Sequence, residues 1–193
     1  MAEKTKAELG FNHIMIDIEA LGTQRDCVIV SVGATRFNLS TGKIESKKYW
    51  ELSMREQQQK GRTISADTVQ WWSYQSTSTI MALQSNERKP ILDFIKEFDQ
   101  FIEGKCFFWA KGTNYDLEII SDLYRLYEQK PPFRYSKWVD ARVYYFIGKY
   151  FGILPQLENQ SAHNALEDAT FQTKVVCAIH AAMQKHIPRR NQK

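Results

Sequence analysis

Apolar and polar positions along the chain alternate between two regimes, short β-rich runs first and longer helical periods later. His13 to Glu19 (HIMIDIE) is rich in isoleucine and reads as a buried strand. Cys27 to Phe37 predicts a second strand and Lys43 to Leu52 a third, joined by turn residues such as Ser40-Thr41-Gly42. Three such runs in succession predict an antiparallel meander. Met54 to Thr63 is polar and glutamine-rich and reads as a surface loop. Ser65 to Gln75 then predicts a short helix with Ser65 as its cap. Pro90 to Ile102 has helical periodicity and opens on proline, which suits a first helical position. Lys105 to Ala110 (KCFFWA) reads as a strand that stops at Gly112-Thr113-Asn114, with a helix after it to about Tyr127. Pro131-Pro132 breaks that helix. A strand is expected over Arg134–Val139, a helix from Asp140 to about Tyr150, and a last helix from Asn164 to about Lys185. A meander followed by β-α-β units predicts an α/β fold, a mixed sheet of antiparallel and parallel strands flanked by helices.

At 193 residues the chain suits one domain with a sizeable core. Residues 1–10 read as a polar leader, 11–185 as a single domain and 186–193 (HIPRRNQK) as a basic tail. The net charge of +4 is compatible with a phosphate-bearing partner without requiring one. Cys27, Cys106 and Cys177 form no C-x-x-C pair, the usage of a reducing compartment. The start lacks an apolar secretory segment, and no stretch approaches the length needed to span a bilayer, so a cytoplasmic protein with no membrane association is expected.

Candidate chemistry rests on acids. Asp17 and Glu19 lie two apart on the first strand, so both carboxylates leave the same face. Two like charges on an isoleucine-rich strand are costly unless a cation compensates them, and hard divalent ions prefer oxygen ligands. The alternative is that the strand ends at Asp17 and Glu19 enters solvent. Asp116 stands at the carboxyl end of the KCFFWA strand, the edge where open α/β sheets bind ligands. It equally suits the first turn of a helix, where a carboxylate meets the dipole. In SAHNALEDA, Asn164 and Glu167 read as a reciprocal helix cap. That spacing leaves His163 outside the helix, free to swing, and puts Asp168 a turn inside it.

These elements, D-x-E on a strand, strand–turn–helix with aspartate and H-x-x-x-x-D at a helix start, together resemble the DEDDh, or DnaQ-like, 3′–5′ exonuclease family. IDIEALGT, the tryptophan pair in DTVQWWSYQS (67–76), WAKGTNYDLEII (109–120) and HNALEDATFQ (163–172) are most similar to the phage T4 exonuclease A type and to related small bacterial exoribonucleases. The resemblance implies a ribonuclease-H-like fold. It implies that Asp17, Glu19, Asp116 and Asp168 hold two divalent ions, Mg²⁺ or Mn²⁺, with His163 as general base, releasing nucleoside 5′-monophosphates from a free 3′ end. Two ions about 3.5–4 Å apart can clamp attacking and leaving oxygens. Ala20 stands where the family commonly has threonine, which leaves the contacts of that segment to its backbone and to Leu21.

Single-stranded DNA or RNA is the expected partner, held by aromatic stacking and a basic channel. The exonuclease A resemblance favours DNA and the bacterial branch RNA, with a slight lean to DNA. Trp71 and Trp72 point about 100° apart on a helix, so one is expected in the core and Trp71 beside the nucleotide, with Tyr115 lining the same pocket. Arg55, Lys60 and Arg62 are expected on a loop, solvated or tracking phosphates. A homodimer would be ordinary. Rival readings are a ribonuclease-H-like endonuclease, a non-catalytic nucleic-acid-binding module, and a structural α/β domain with scattered acids.

Overall fold

The computed structural model describes residues 13–75, 88–159 and 163–186. Five strands, β1 (His13–Ala20), β2 (Ile29–Phe37), β3 (Ile44–Glu51), β4 (Phe107–Ala110) and β5 (Trp138–Asp140), form one sheet in the order β3-β2-β1-β4-β5. The β3-β2-β1 half is the expected meander; β4 and β5 add to the other side of β1 in parallel. The helices are α1 (Met54–Gln59), α2 (Ala66–Ser73), α3 (Ile91–Phe101), α4 (Asp116–Leu126), α5 (Ala141–Tyr150) and α6 (Ala165–His186). None of the helices among the described residues is long and apolar enough to cross a membrane. The leader over residues 1–10 lies outside the described residues, as does the basic tail beyond His186.

Alternation along β1 divides the core. Ile14, Ile16, Ile18 and Ala20 face one side, where Phe94, Phe98, Leu117 and Tyr124 of α3 and α4 cover them. Met15 faces the other side and packs with Phe37, Trp109, Ala141, Ala169 and Val176. Asp17 and Glu19 continue the Met15 face toward the end of the strand. Each fully buried aliphatic or aromatic side chain contributes roughly 1.5–3 kcal/mol, enough to hold both layers against the strand that carries the acids.

Gly33 sets how close α6 comes to that face. It pairs with Asp17 across the β1–β2 ladder. A Cβ built on it would lie 2.2 Å from the Ala165 carbonyl carbon and 2.3 Å from the Leu166 nitrogen. The first turn of α6 therefore rests directly on the strand backbone, a use of glycine that a mid-strand position often signals. Two buried hydroxyls, those of Thr35 on β2 and Thr173 on α6, meet at 2.6 Å and fix the helix further along.

Three sequence expectations are corrected. Met54–Thr63 is not simply a surface loop: α1 forms there, capped by Ser53, and Gln57 is fully buried. Its carboxamide takes the Ile29 N–H at 2.8 Å and gives an N–H to the Ile29 carbonyl at 2.7 Å, so it stands in for a peptide unit of a neighbouring strand. Arg62 is neither solvated nor available to phosphate. It is buried, donating to the carbonyls of Cys27 and Arg25 and to Asp122. The strand expected over 134–139 is instead a 3₁₀ turn, Tyr135–Lys137, followed by β5.

Gly33→Ala is expected to cost about 1–3 kcal/mol, the usual range for overpacking, because the clash is with helix backbone rather than a movable side chain. Urea denaturation of the two proteins measures it.

Candidate active site

The carboxyl end of β1 is where its two neighbours part. Its pairing with β4 stops at Met15 and Trp109, which leaves the Ile18 N–H without a strand partner. The Asp116 carboxylate, at the start of α4, accepts that N–H at 3.2 Å. Asp116 is buried and is thus held directly behind Asp17 and Glu19. On the other flank, the register slips between Glu19 and Ala20, where β2 carries an additional residue. Such irregularities re-aim side chains at sheet edges.

The fourth acid comes from α6. Asn164 caps this helix, its side-chain oxygen accepting the N–H groups of Leu166 at 3.1 Å and Glu167 at 3.2 Å. That places Asp168 in the first turn, above Gly33, and carboxylate oxygens of Asp17, Glu19 and Asp168 lie within 4.8 Å of one another. Asp168 accepts hydrogen bonds from the Asn159 amide and from the His163 backbone N–H, the latter at 2.9 Å. His163 does not swing freely: its backbone is tied to Asp168, its φ is +68°, and its ring stands edge-on to Trp71 at 4.9 Å between centroids. A left-handed non-glycine residue is an unusual conformation that the surrounding structure must hold in place.

The structure thus gathers Asp17, Glu19, Asp116, His163 and Asp168 at one corner of the sheet. Trp72 is the core member of the tryptophan pair, donating its indole N–H to the Ala20 carbonyl at 3.1 Å, and Trp71 is exposed. Ala20, Trp71 and Tyr115 line a cleft of about 380 Å³ beside Glu19, with Thr23 and Asp67. Tyr115 is fixed there by donation to the Gly22 carbonyl at 2.9 Å. Leu21 turns inward and packs with Val28, Val30 and Trp72, so its side chain belongs to the core. Sequence reasoning passed over Gly33, Asn159 and Gln172. Gly33 carried a signal, glycine within an apolar strand, whereas the partners of Asn159 and Gln172 depend on how α6 docks.

Burial, reinforced by like charges, dominates the electrostatics. No ion pair among the described residues involves any of the four acids. Burial, then Asp116, Glu19 and Asp168, push the Asp17 carboxyl well above its usual range. Burial, then Asp168 and Asp116, raise Glu19 to about 8. Burial raises Asp116 to about 7 against the Ile18 N–H, which favours its charged form. A cluster of oxygen donors that cannot all ionise alone fits a hard divalent cation, which would replace the retained protons.

A family model described as the 3′–5′ exoribonuclease Rv2179c-like domain matches residues 12–180. Comparison with curated protein sequences gives no match. Among solved structures, the zinc-bound form of the E. coli ExoI–ssDNA complex superposes with a TM-score of 0.64 at 12% identity. That alignment covers 91% of this chain and 41% of the other, so the chain spans well under half of that enzyme's length. The nuclease domain of 3′hExo, a DEDDh family member bound to rAMP, gives 0.61 at 14% identity over 91% of this chain and 92% of that one. Exonuclease X in complex with 5′ overhanging duplex DNA gives 0.54 at 16% identity over 90% and 92%. These likenesses show the ribonuclease-H-like fold.

The raised carboxyls set a pH dependence. In the metal-free protein the native state keeps protons that the unfolded chain releases from about pH 4 upward, so stability falls as pH rises through that range toward about 8. Cations must displace those protons. The gain in melting temperature on adding Mg²⁺ is therefore expected to be larger at about pH 8.5 than at about pH 6. Thermal melts at both values, with and without the ion, measure it; an equal gain contradicts the assignment.

Proposed function

The chain belongs to the 3′–5′ exoribonuclease Rv2179c-like domain family, and from that membership we propose that it shortens single-stranded RNA one nucleotide at a time from the 3′ end. It is a 3′–5′ exonuclease of DEDDh type. The family description supports RNA as the preferred strand, ahead of the DNA favoured slightly by the motif resemblance. The observation that carries the reading is the convergence of Asp17, Glu19 and Asp168 within 4.8 Å, with Asp116 behind them and an aromatic cleft beside them.

In this reading Asp17, Glu19, Asp116 and Asp168 hold two Mg²⁺ or Mn²⁺ ions. When bound, such ions supply positive charge for the attacking and leaving oxygens of the phosphodiester. His163 stands at the rim as general base. It takes a proton from the attacking water, whose oxygen bonds to phosphorus as the bond from phosphorus to the O3′ of the penultimate nucleotide breaks, and the departing O3′ takes a proton from solvent. The products are a nucleoside 5′-monophosphate and a strand one residue shorter with a free 3′-hydroxyl. Trp71, 44% exposed, offers a ring face to a base, and its edge contact with His163 couples the seating of that base to the position of the imidazole. Tyr115 and Ala20 line the same cleft. Stacking of this kind tolerates any base, which suits trimming without regard to sequence.

The test is digestion of matched RNA and DNA oligonucleotides labelled at the 5′ end. A ladder that shortens from the 3′ side, abolished by EDTA and faster on RNA, is expected; faster loss of DNA would reverse the sugar preference, and internal cuts would indicate an endonuclease. His163→Asn, which keeps a side chain tolerant of the left-handed backbone, is expected to lower kcat by about 10²–10⁴-fold. The melting-temperature gain with Mg²⁺ should survive that change.

A further inference from the structure

One turn beyond Asp168 on α6, Gln172 donates from Nε2 to Asp17 Oδ1 at 2.7 Å. Its side chain is almost wholly buried, 6% exposed, and its Oε1 has no hydrogen-bond partner. The hydroxyl of Tyr145 on α5 is likewise buried and without a partner. The Tyr145 ring packs on the cluster that contains Met15, two before Asp17 on the same face of β1, and Ala169, next to Asp168 on α6. Two buried polar atoms without partners, one on α6 and one on α5, thus lie in the layer that covers the acid-bearing face of β1. Buried polar groups are rarely left unmade, and those that are call for a water, an ion or a catalytic role.

We propose that Gln172 is a positioning residue for the reaction: it fixes the Asp17 carboxylate through Nε2 and, with the Tyr145 hydroxyl, receives the water that accompanies a divalent cation into the site. This rests on the proposed nuclease reading. Chemistry at Asp17 favours an amide over the alternatives. A lysine or arginine there would orient Asp17 equally well but would neutralise it and compete with the cation. A glutamate would offer no donor while adding charge. Glutamine orients the carboxylate, leaves its charge for the ion and keeps a free carbonyl oxygen that can accept from water. Tyr145 complements it, because a phenol can donate as well as accept. Burial first, then Asp168 and Asp17, push the Tyr145 hydroxyl up to about 12.

Full-length wild type, Gln172→Leu and Tyr145→Phe are compared by calorimetric titration with MnCl₂, without nucleic acid, and by kinetics on a single-stranded oligonucleotide. Gln172→Leu is expected to weaken Mn²⁺ binding by about 10–100-fold, the usual effect of losing a partner behind a metal ligand. Activity should return at saturating Mn²⁺ with KM unchanged. Tyr145→Phe, which keeps the ring, is expected to weaken Mn²⁺ binding severalfold without lowering the melting temperature of the metal-free protein. Unchanged Mn²⁺ affinity in both folded variants overturns the proposal, whatever their stability. Weakened Mn²⁺ binding in a protein that cleaves no nucleic acid would leave the positioning of Asp17 standing and remove the nuclease reading. Should Gln172→Leu fail to fold, Gln172→Met, of similar length, uncharged and without a donor, takes its place with the same expectation.

Discussion

Everything at the acidic corner depends on one approach of backbone to backbone, that of α6 onto β2 at Gly33. The carboxylates of Asp17 and Glu19 leave β1 on the face that α6 covers, and Asp17 is paired with Gly33 across the ladder. Because Gly33 presents only hydrogen to the helix, Ala165 and Leu166 lie against the strand itself, and Asp168 follows within reach of the two strand acids. The same docking brings Gln172 onto Asp17 and Thr173 onto Thr35. Packing, capping and the placement of Asp168 beside the two strand acids are thus one problem. Asn164 starts the helix, glycine admits it, and the hydroxyl pair holds it.

That arrangement is electrostatically incomplete by itself. Buried carboxylates are ordinarily paired with a cation or hydrogen-bonded in full. Here the Ile18 N–H donates to Asp116, the Gln172 amide to Asp17, and the Asn159 amide and His163 N–H to Asp168, while the cluster still holds carboxyls far above their usual range. A protein tolerates such a cluster when something it binds repays the cost, and divalent cations followed by a phosphodiester meet that requirement. The fold supplies the rest: the parting of β1 from β4 opens the corner, and the α2 helix brings Trp71 to its edge.

Much of this was legible in the chain. The i, i+2 spacing of Asp17 and Glu19 on an isoleucine-rich strand pointed to one face, and Asn164 with Glu167 located the helix start that separates His163 from Asp168. The meander and the last helix stood out because their patterns are long and regular. Less legible were polar side chains that serve the backbone. Gln57 and Arg62 look like solvent residues by composition, yet they satisfy carbonyls and an N–H around Cys27 and Ile29 that no strand reaches. Which tryptophan of the adjacent pair is buried depends on where α2 docks. Gln172 lay within the motif that resembles the family, but its partner is 155 residues away and no local pattern announces it. Short β5 is defined by pairing with β4 rather than by its own three residues.

Anomalous diffraction from crystals of the full chain grown with MnCl₂ addresses the central claim most directly. The account predicts anomalous density between the carboxylates of Asp17, Glu19 and Asp168, on the side facing the Trp71 cleft. Manganese bound only elsewhere, or an acidic corner without anomalous signal at saturating MnCl₂, would contradict it.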